Sequence, residues 1–85
     1  MNKRMKAAAV LRIARKAARR THHSIEEIPG RGKGSHRTFR VLDTAGMEVA
    51  RFQLTSHSKD VSWGVLRSIE QRLEDLFGAK WMEDQ

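Results

Sequence analysis

Two strand-like segments joined by a short turn limit the possible folds of this chain more than any other feature. Residues 35–42 and 47–55 are rich in β-branched and aromatic side chains, and the four residues between them end in a glycine. Side chains alternate between the two faces of a strand. The apolar positions therefore predict one buried face, made of Phe39, Val41, Ala50, Phe52 and Leu54. A four-residue loop would pair Leu42 with Met47 and Arg40 with Val49. The opposite face would then carry His36, Thr38, Arg40, Arg51 and Gln53.

Helical patterns flank this hairpin. Residues 3–20 are alanine-rich and repeat apolar side chains with the helical period, and residues 63–77 do so after Ser62, a good N-cap. The second helix has a predicted buried stripe of Leu66, Ile69, Leu73, Leu76 and Phe77, and Gly78 can end it in the left-handed conformation. Residues 25–28 are predicted to form a short strand, ended by Pro29-Gly30, before a flexible basic loop at 31–34. Residues 79–85 form an acidic tail without an assigned place.

The predicted fold class is α+β, in a single domain spanning residues 1–85. Its order is α-β-β-β-α, with a three-stranded antiparallel sheet covered on one face by two helices. This is the general layout of double-stranded-RNA-binding domains, which read RNA by shape and backbone contact.

Charge is distributed unevenly along the chain, and this points to a polyanionic partner. Residues 1–42 hold 12 basic and 2 acidic side chains, whereas residues 43–85 hold 5 basic and 8 acidic ones. Nucleic acid is the first candidate partner, with a merely solvated surface as the alternative. The absence of cysteine excludes disulfides and thiol chemistry, and it fits the reducing cytoplasm. The longest apolar run, residues 7–11, is too short to span a membrane. Multidomain enzymes, nucleotide-binding βαβ domains and membrane proteins are therefore excluded.

Two motifs resemble those of the HicA family of toxins. The first is Gly34-Ser35-His36-Arg37-Thr38-Phe39, and the second is Lys59-Asp60-Val61-Ser62-Trp63-Gly64-Val65-Leu66-Arg67-Ser68-Ile69. In that family, Gly-Ser-His leads into the second strand, and a Lys-acid-aliphatic pattern opens the last helix. The resemblance implies a double-stranded-RNA-binding-like fold, ribosome-independent cleavage of mRNA, and inhibition by a HicB-type antitoxin that covers the active site. The family's functional histidine matches His36.

The chemistry expected at His36 can also be argued from the residues alone. Cleavage of RNA needs a base for the 2′-hydroxyl or an acid for the leaving 5′-oxygen, and an imidazole that titrates near neutral pH can serve as either. Positive charge must offset the phosphorane, and glycines let the backbone approach a phosphate closely. We assign RNA contacts to Lys33, Gly34, Ser35, Arg37, Arg40, Arg51, His57 and Lys59. The alternative is that His36 is simply a polar residue at the start of a strand.

Neither a metal nor a small-molecule cofactor is expected. His22 and His23, together with His36 or His57, match no zinc spacing and lack cysteine partners. The basic first helix could grip RNA phosphates, lie on an anionic membrane surface, or be a solvated face of a packed helix; we favour a packed helix whose basic side faces RNA or the antitoxin. Two functions stay open: a metal-independent mRNA-cleaving toxin that uses His36 as general acid or base, and a non-catalytic RNA-binding module of the same fold.

Overall fold

Two main helices and a three-stranded sheet make up the fold. The computed structural model describes residues 5–29, 36–55 and 61–83, with the backbone alone at His36 and Thr55. The elements in chain order are α1 Ala7–Arg20, β1 Ser24–Ile28, β2 His36–Leu42, β3 Glu48–Thr55, α2 Trp63–Arg72 and α3 Glu74–Phe77. The strands form one antiparallel sheet in the order β1-β2-β3. The predicted α-β-β-β-α arrangement and α+β class are therefore confirmed.

Helix boundaries differ from the prediction at both ends of the chain. The first helix begins at Ala7 rather than at residue 3, because Met5 forms an antiparallel bridge with Val61, whose N–H donates to the Met5 carbonyl at 2.8 Å. The predicted last helix is divided into α2 and α3 at Leu73. Ser62 is the N-cap of α2, as expected, and its hydroxyl accepts from the Val65 N–H at 3.4 Å. Helix α3 ends at Gly78, whose φ of 96° is positive but whose ψ of 157° lies outside the left-handed helical region.

The core lies between one face of the sheet and the two longer helices. Phe39 and Phe52 pair directly across β2 and β3, and their rings stack at 5.3 Å between centroids. Helix α1 contributes Val10 and a row of buried alanines, whose small side chains let the helix backbone approach the sheet. The fully or nearly fully buried apolar side chains that complete this core include Val41, Leu54, Leu66, Ile69, Leu73 and Phe77. The predicted buried face of the hairpin and the predicted stripe of residues 66–77, which now spans α2 and α3, are confirmed, with Ala50 and Leu76 only partly buried.

The hairpin register differs from the prediction by two residues. The Asp43 N–H donates to the Met47 carbonyl at 2.9 Å, so the closing pair is Asp43–Met47 rather than Leu42–Met47. Leu42 then pairs with Glu48 and Val41 with Ala50, which leaves Val49 as the extra residue of a β-bulge. Each change shifts the register by one residue, and one shift alone would turn every side chain of a strand to the other face. Because the two shifts together move the register by two residues, each side chain stays on its predicted face of the sheet, although its cross-strand partner differs from the predicted one.

Two residues after Gly78, Trp81 and Met82, belong to the core rather than to a free tail. Trp81 is fully buried, meets the Phe77 ring edge-on at 5.2 Å between centroids, and donates its indole N–H to the Glu70 carbonyl at 2.9 Å. Met82 is also buried, and its N–H donates to the Glu70 carboxylate at 3.3 Å. Trp81 and Met82 therefore pack against α2 and α3 and close one side of the core.

Candidate nucleic-acid interface

His36 is the first residue of the central strand. Its backbone pairs with Thr55, the last residue of β3, at the end of the hairpin opposite the turn. The next pair on that face of the hairpin is Thr38 with Gln53. Gln53 is exposed as predicted, whereas Thr38 is buried. The role assigned to His36 stays a prediction. The predicted contact residues attached to this end of the hairpin, Lys33, Gly34, Ser35, His57 and Lys59, lie outside the described residues.

Arg40 and Arg51 are directly opposite one another on β2 and β3, and each is paired with a glutamate. Arg40 donates through Nε at 2.9 Å and through Nη2 to Glu26 on β1, which is its cross-strand partner. Arg51 forms an ion pair with Glu48, three residues earlier on β3. The hydrogen bond from Arg51 holds the pKa of the Glu48 carboxyl below its usual value. Each of these two arginines is therefore paired with a carboxylate, and this sheet surface is not a purely basic patch.

Arg37 lies on the other face of the sheet, apart from Arg40 and Arg51. It forms a two-point pair with Glu27 of β1, at 2.9 Å from Nε and 2.8 Å from Nη2, and its guanidinium is 5.1 Å from the centroid of the Phe39 ring. The Arg37 hydrogen bond lowers the pKa of Glu27 most, and the charges of Arg37 and Arg15 lower it further. Both partners are more than a third exposed, so the pair is weak as a source of stability.

A polar groove of about 630 Å³ runs between β3 and α2. Its volume is in the range of small-molecule sites. Its polar lining side chains are Thr38, Arg51, Gln53, Ser68 and Arg72. Two residues of a strand span roughly 7 Å, so the Thr38–Gln53 pair lies about that distance from the backbone position of His36. Guanidinium, amide and hydroxyl groups in one groove can hydrogen-bond a phosphate and a base edge.

The sequence analysis missed several contributors to these surfaces. Ser68 and Arg72 were unassigned because they lie off the buried stripe of α2. The partners Glu26, Glu27 and Glu48 were missed because the pairing of β1 with β2 was not predicted and because the hairpin register was wrong. Glu26 could have been placed opposite Arg40 by pairing β1 with β2 residue by residue.

The histidines at the end of α1 have structural surroundings. His23 has its Nδ1 at 3.0 Å from the Thr21 hydroxyl and meets the Phe77 ring edge-on at 5.9 Å. His22 is exposed, with a positive φ of 62°. Among the described residues, no three histidine, cysteine or acidic side chains are grouped so that they could hold a metal ion.

Three comparisons with known proteins found no relative of this chain. No protein-family model matches the chain, and neither a search of curated proteins nor a search of solved structures returns a similar one. Within residues 5–29, 36–55 and 61–83, no helix is long and apolar enough to cross a membrane.

Proposed function

We propose that this chain is a metal-independent endoribonuclease, an mRNA-cleaving toxin of the HicA type, with His36 as its general acid or base. The supporting observation is that fold and motifs agree. The first motif opens the central strand with His36, and the second supplies Ser62 as the cap of α2 and Leu66 and Ile69 as its buried anchors. Two motifs that carry a strand start and a helix start in one sheet-and-helix unit form a more specific pattern than either motif alone.

In this proposal, His36 moves the protons of a transesterification within the RNA strand. The imidazole takes the proton of a 2′-hydroxyl, whose oxygen bonds to the neighbouring phosphorus while the bond to the 5′-oxygen breaks. The proton passes to the leaving 5′-oxygen, and the products are a 2′,3′-cyclic phosphate and a 5′-hydroxyl. Arg51 and Arg72 line the groove beside β3 and can offset the negative charge of the phosphorane.

The proposed partners are mRNA and an acidic antitoxin protein of the HicB type, both in the cytoplasm. The basic charge of residues 1–42 supports a polyanion or an acidic protein as the counterpart. In this scheme the antitoxin covers the surface from residue 34 to Arg40 and blocks access to His36. Carboxylates of the antitoxin would replace Glu26 beside Arg40 or Glu48 beside Arg51.

A second candidate function is RNA binding without cleavage. It is favoured by the described lining of the β3–α2 groove, which offers arginine, amide and hydroxyl groups but no side chain that titrates near neutral pH. In that case His36 would be a contact to the RNA rather than a proton carrier.

The test is cleavage of an end-labelled RNA in the presence of EDTA by wild type, His36→Ala and His22→Asn. His22 is a matched control, because it is exposed and asparagine tolerates its positive φ. We expect wild type and His22→Asn to release fragments with cyclic phosphate ends, and His36→Ala to release none. If wild type binds the RNA but leaves it intact, the chain is a binding module. Equal cleavage by His36→Ala would contradict the assigned role.

A further inference from the structure

Four arginines line a groove that the proposed cleavage mechanism does not use. Helix α1 contributes Arg12, Arg15 and Arg19, and β2 contributes Arg37. The groove has a volume of about 380 Å³, and its other lining residues are Ala8 and Leu11. We refer to this surface as the arginine groove.

The arginine groove carries an excess of positive charge. None of the 14 residues of α1 is acidic. The carboxylate of Glu27 is bound to Arg37, and the nearby charge of Arg15 also lowers its pKa. Within the described part of the chain, Glu27 is the carboxylate that interacts with arginines of this groove, and it does so with two of the four, Arg37 and Arg15, in contrast to the one-to-one pairs at Arg40 and Arg51.

We propose that the arginine groove binds the sugar-phosphate backbone of a single RNA strand, next to the point where that strand is cleaved. This rests on the proposed function. Arg12, Arg15 and Arg19 follow the i, i+3, i+7 spacing of one helix face and span roughly 10 Å along the axis. That length is about three times the 3.4 Å spacing of the phosphates of one strand along a duplex axis. A single strand extended to about twice that spacing therefore still places two consecutive phosphates along it. The planar guanidinium binds phosphate oxygens in pairs.

The position of Arg37 connects the groove to the candidate catalytic residue. Arg37 directly follows His36 in the chain, so their Cα atoms are about 3.8 Å apart. An RNA strand that lies along α1 and reaches Arg37 therefore arrives at the start of β2. It has to pass around that end of β2, because strand alternation predicts His36 for the opposite face. A phosphate at this end would compete with Glu27 for the Arg37 guanidinium.

The lining favours a nucleic-acid backbone over an acidic protein. Protein interfaces depend on a few large apolar or aromatic anchors that become fully buried, and the apolar part of this groove consists of Ala8 and Leu11. Binding of a phosphate backbone needs no such anchor, because its affinity comes from charge and counterion release.

The test measures the binding of a fluorescent 2′-O-methyl RNA oligomer by anisotropy at several salt concentrations. This probe has no free 2′-hydroxyl, so it cannot be cleaved by the proposed mechanism and binding is measured separately from activity. The variants are Arg15→Ala and Arg19→Ala, with Arg20→Ala as the matched control. Arg20 is also exposed on α1 but does not line the groove. Glu27→Gln tests the competing carboxylate.

We expect Arg15→Ala and Arg19→Ala each to weaken binding by roughly 5-fold and to lower the salt slope by about 0.7. Arg20→Ala should bind nearly as wild type, and Glu27→Gln should bind more tightly. Equal losses in all three arginine variants would overturn the proposal, since binding would then follow net charge alone. The proposal would also be overturned if wild type does not bind the oligomer but binds polyglutamate through Arg15, because the groove would then be a protein-binding site.

The two proposals can fail independently. If wild type cleaves no RNA but binds the oligomer through Arg15 and Arg19, the proposed cleavage is wrong and the arginine groove remains an RNA-binding site. If Arg15→Ala cleaves and binds as wild type does, only the arginine groove is wrong.

Discussion

Truncation of Trp81 to alanine should remove a large part of the stability of the domain. The indole is fully buried, packs edge-on against Phe77, and donates to the Glu70 carbonyl. Loss of a buried tryptophan side chain costs about 3–5 kcal/mol, and loss of the hydrogen bond adds about 1 kcal/mol. A domain of this length has roughly 4–13 kcal/mol of stability in total. We therefore expect Trp81→Ala to be marginally folded, and Trp81→Phe, which keeps a ring, to lose only about 1–2 kcal/mol.

The assay is urea unfolding followed by circular dichroism. With an m-value of about 1–3 kcal/mol per molar urea, the expected loss moves the midpoint of Trp81→Ala down by more than about 1 M. Trp63→Ala is the matched control, because Trp63 is 46 % exposed and should shift the midpoint little. Equal shifts in the two alanine variants would refute the inference that residues 79–83 close the core.

Three further outcomes are expected. Leu66→Ala should lower the free energy of unfolding by about 2–5 kcal/mol, because it truncates a fully buried side chain. His36→Ala should leave Tm nearly unchanged. If His36→Ala unfolds the protein, its loss of activity says nothing about catalysis. The pKa values of Glu27 and Glu48 are lowered by their arginine partners. The stability that they contribute is therefore present above the ordinary carboxyl pKa and is lost as pH falls through the lowered values. The variant with both Glu27→Gln and Glu48→Gln should show a smaller acid-induced drop in urea midpoint than wild type. An equal drop in the two proteins would contradict this assignment. In stopped-flow mixing with an acidic antitoxin, Arg40→Glu should slow association, more at low than at high salt, whereas His36→Ala should not; equal rates for Arg40→Glu and wild type would locate the neutralising surface elsewhere.

The faces of the sheet could be predicted from sequence because alternation is a local property. Phe39, Val41 and Phe52 are buried as their spacing indicates. The register could not be predicted, because it depends on which residue closes the turn and on whether an extra residue is accommodated. Asp43 closes the turn through its own backbone and accepts at its carboxylate from the Ala45 and Met47 N–H groups, each at 2.9 Å. These short-range hydrogen bonds, rather than hydrophobic patterning, shorten the loop by one residue.

The last residues could not be assigned because their conformation has no period. Lys80 has a positive φ of 56°, and Gly78 has one of 96°, so the chain turns twice between α3 and Trp81. Neither helical nor strand spacing would place Trp81 and Met82 beside Glu70. An apolar side chain next to acidic residues does not by itself indicate which part of the fold it packs against. Its burial depends on tertiary contacts.

Ion pairing changes where the basic charge of this protein acts. The acidic side chains of residues 1–42 are Glu26 and Glu27, and both are bound to arginines of β2. The positive charges of the sheet arginines Arg37, Arg40 and Arg51 are therefore largely balanced by glutamates in the fold. Helix α1 keeps five basic side chains and no acidic one, all on the exposed part of its surface. Because long-range attraction depends on unbalanced charge, a polyanion approaching this domain should be drawn first to α1 and should reach the end of β2 from there.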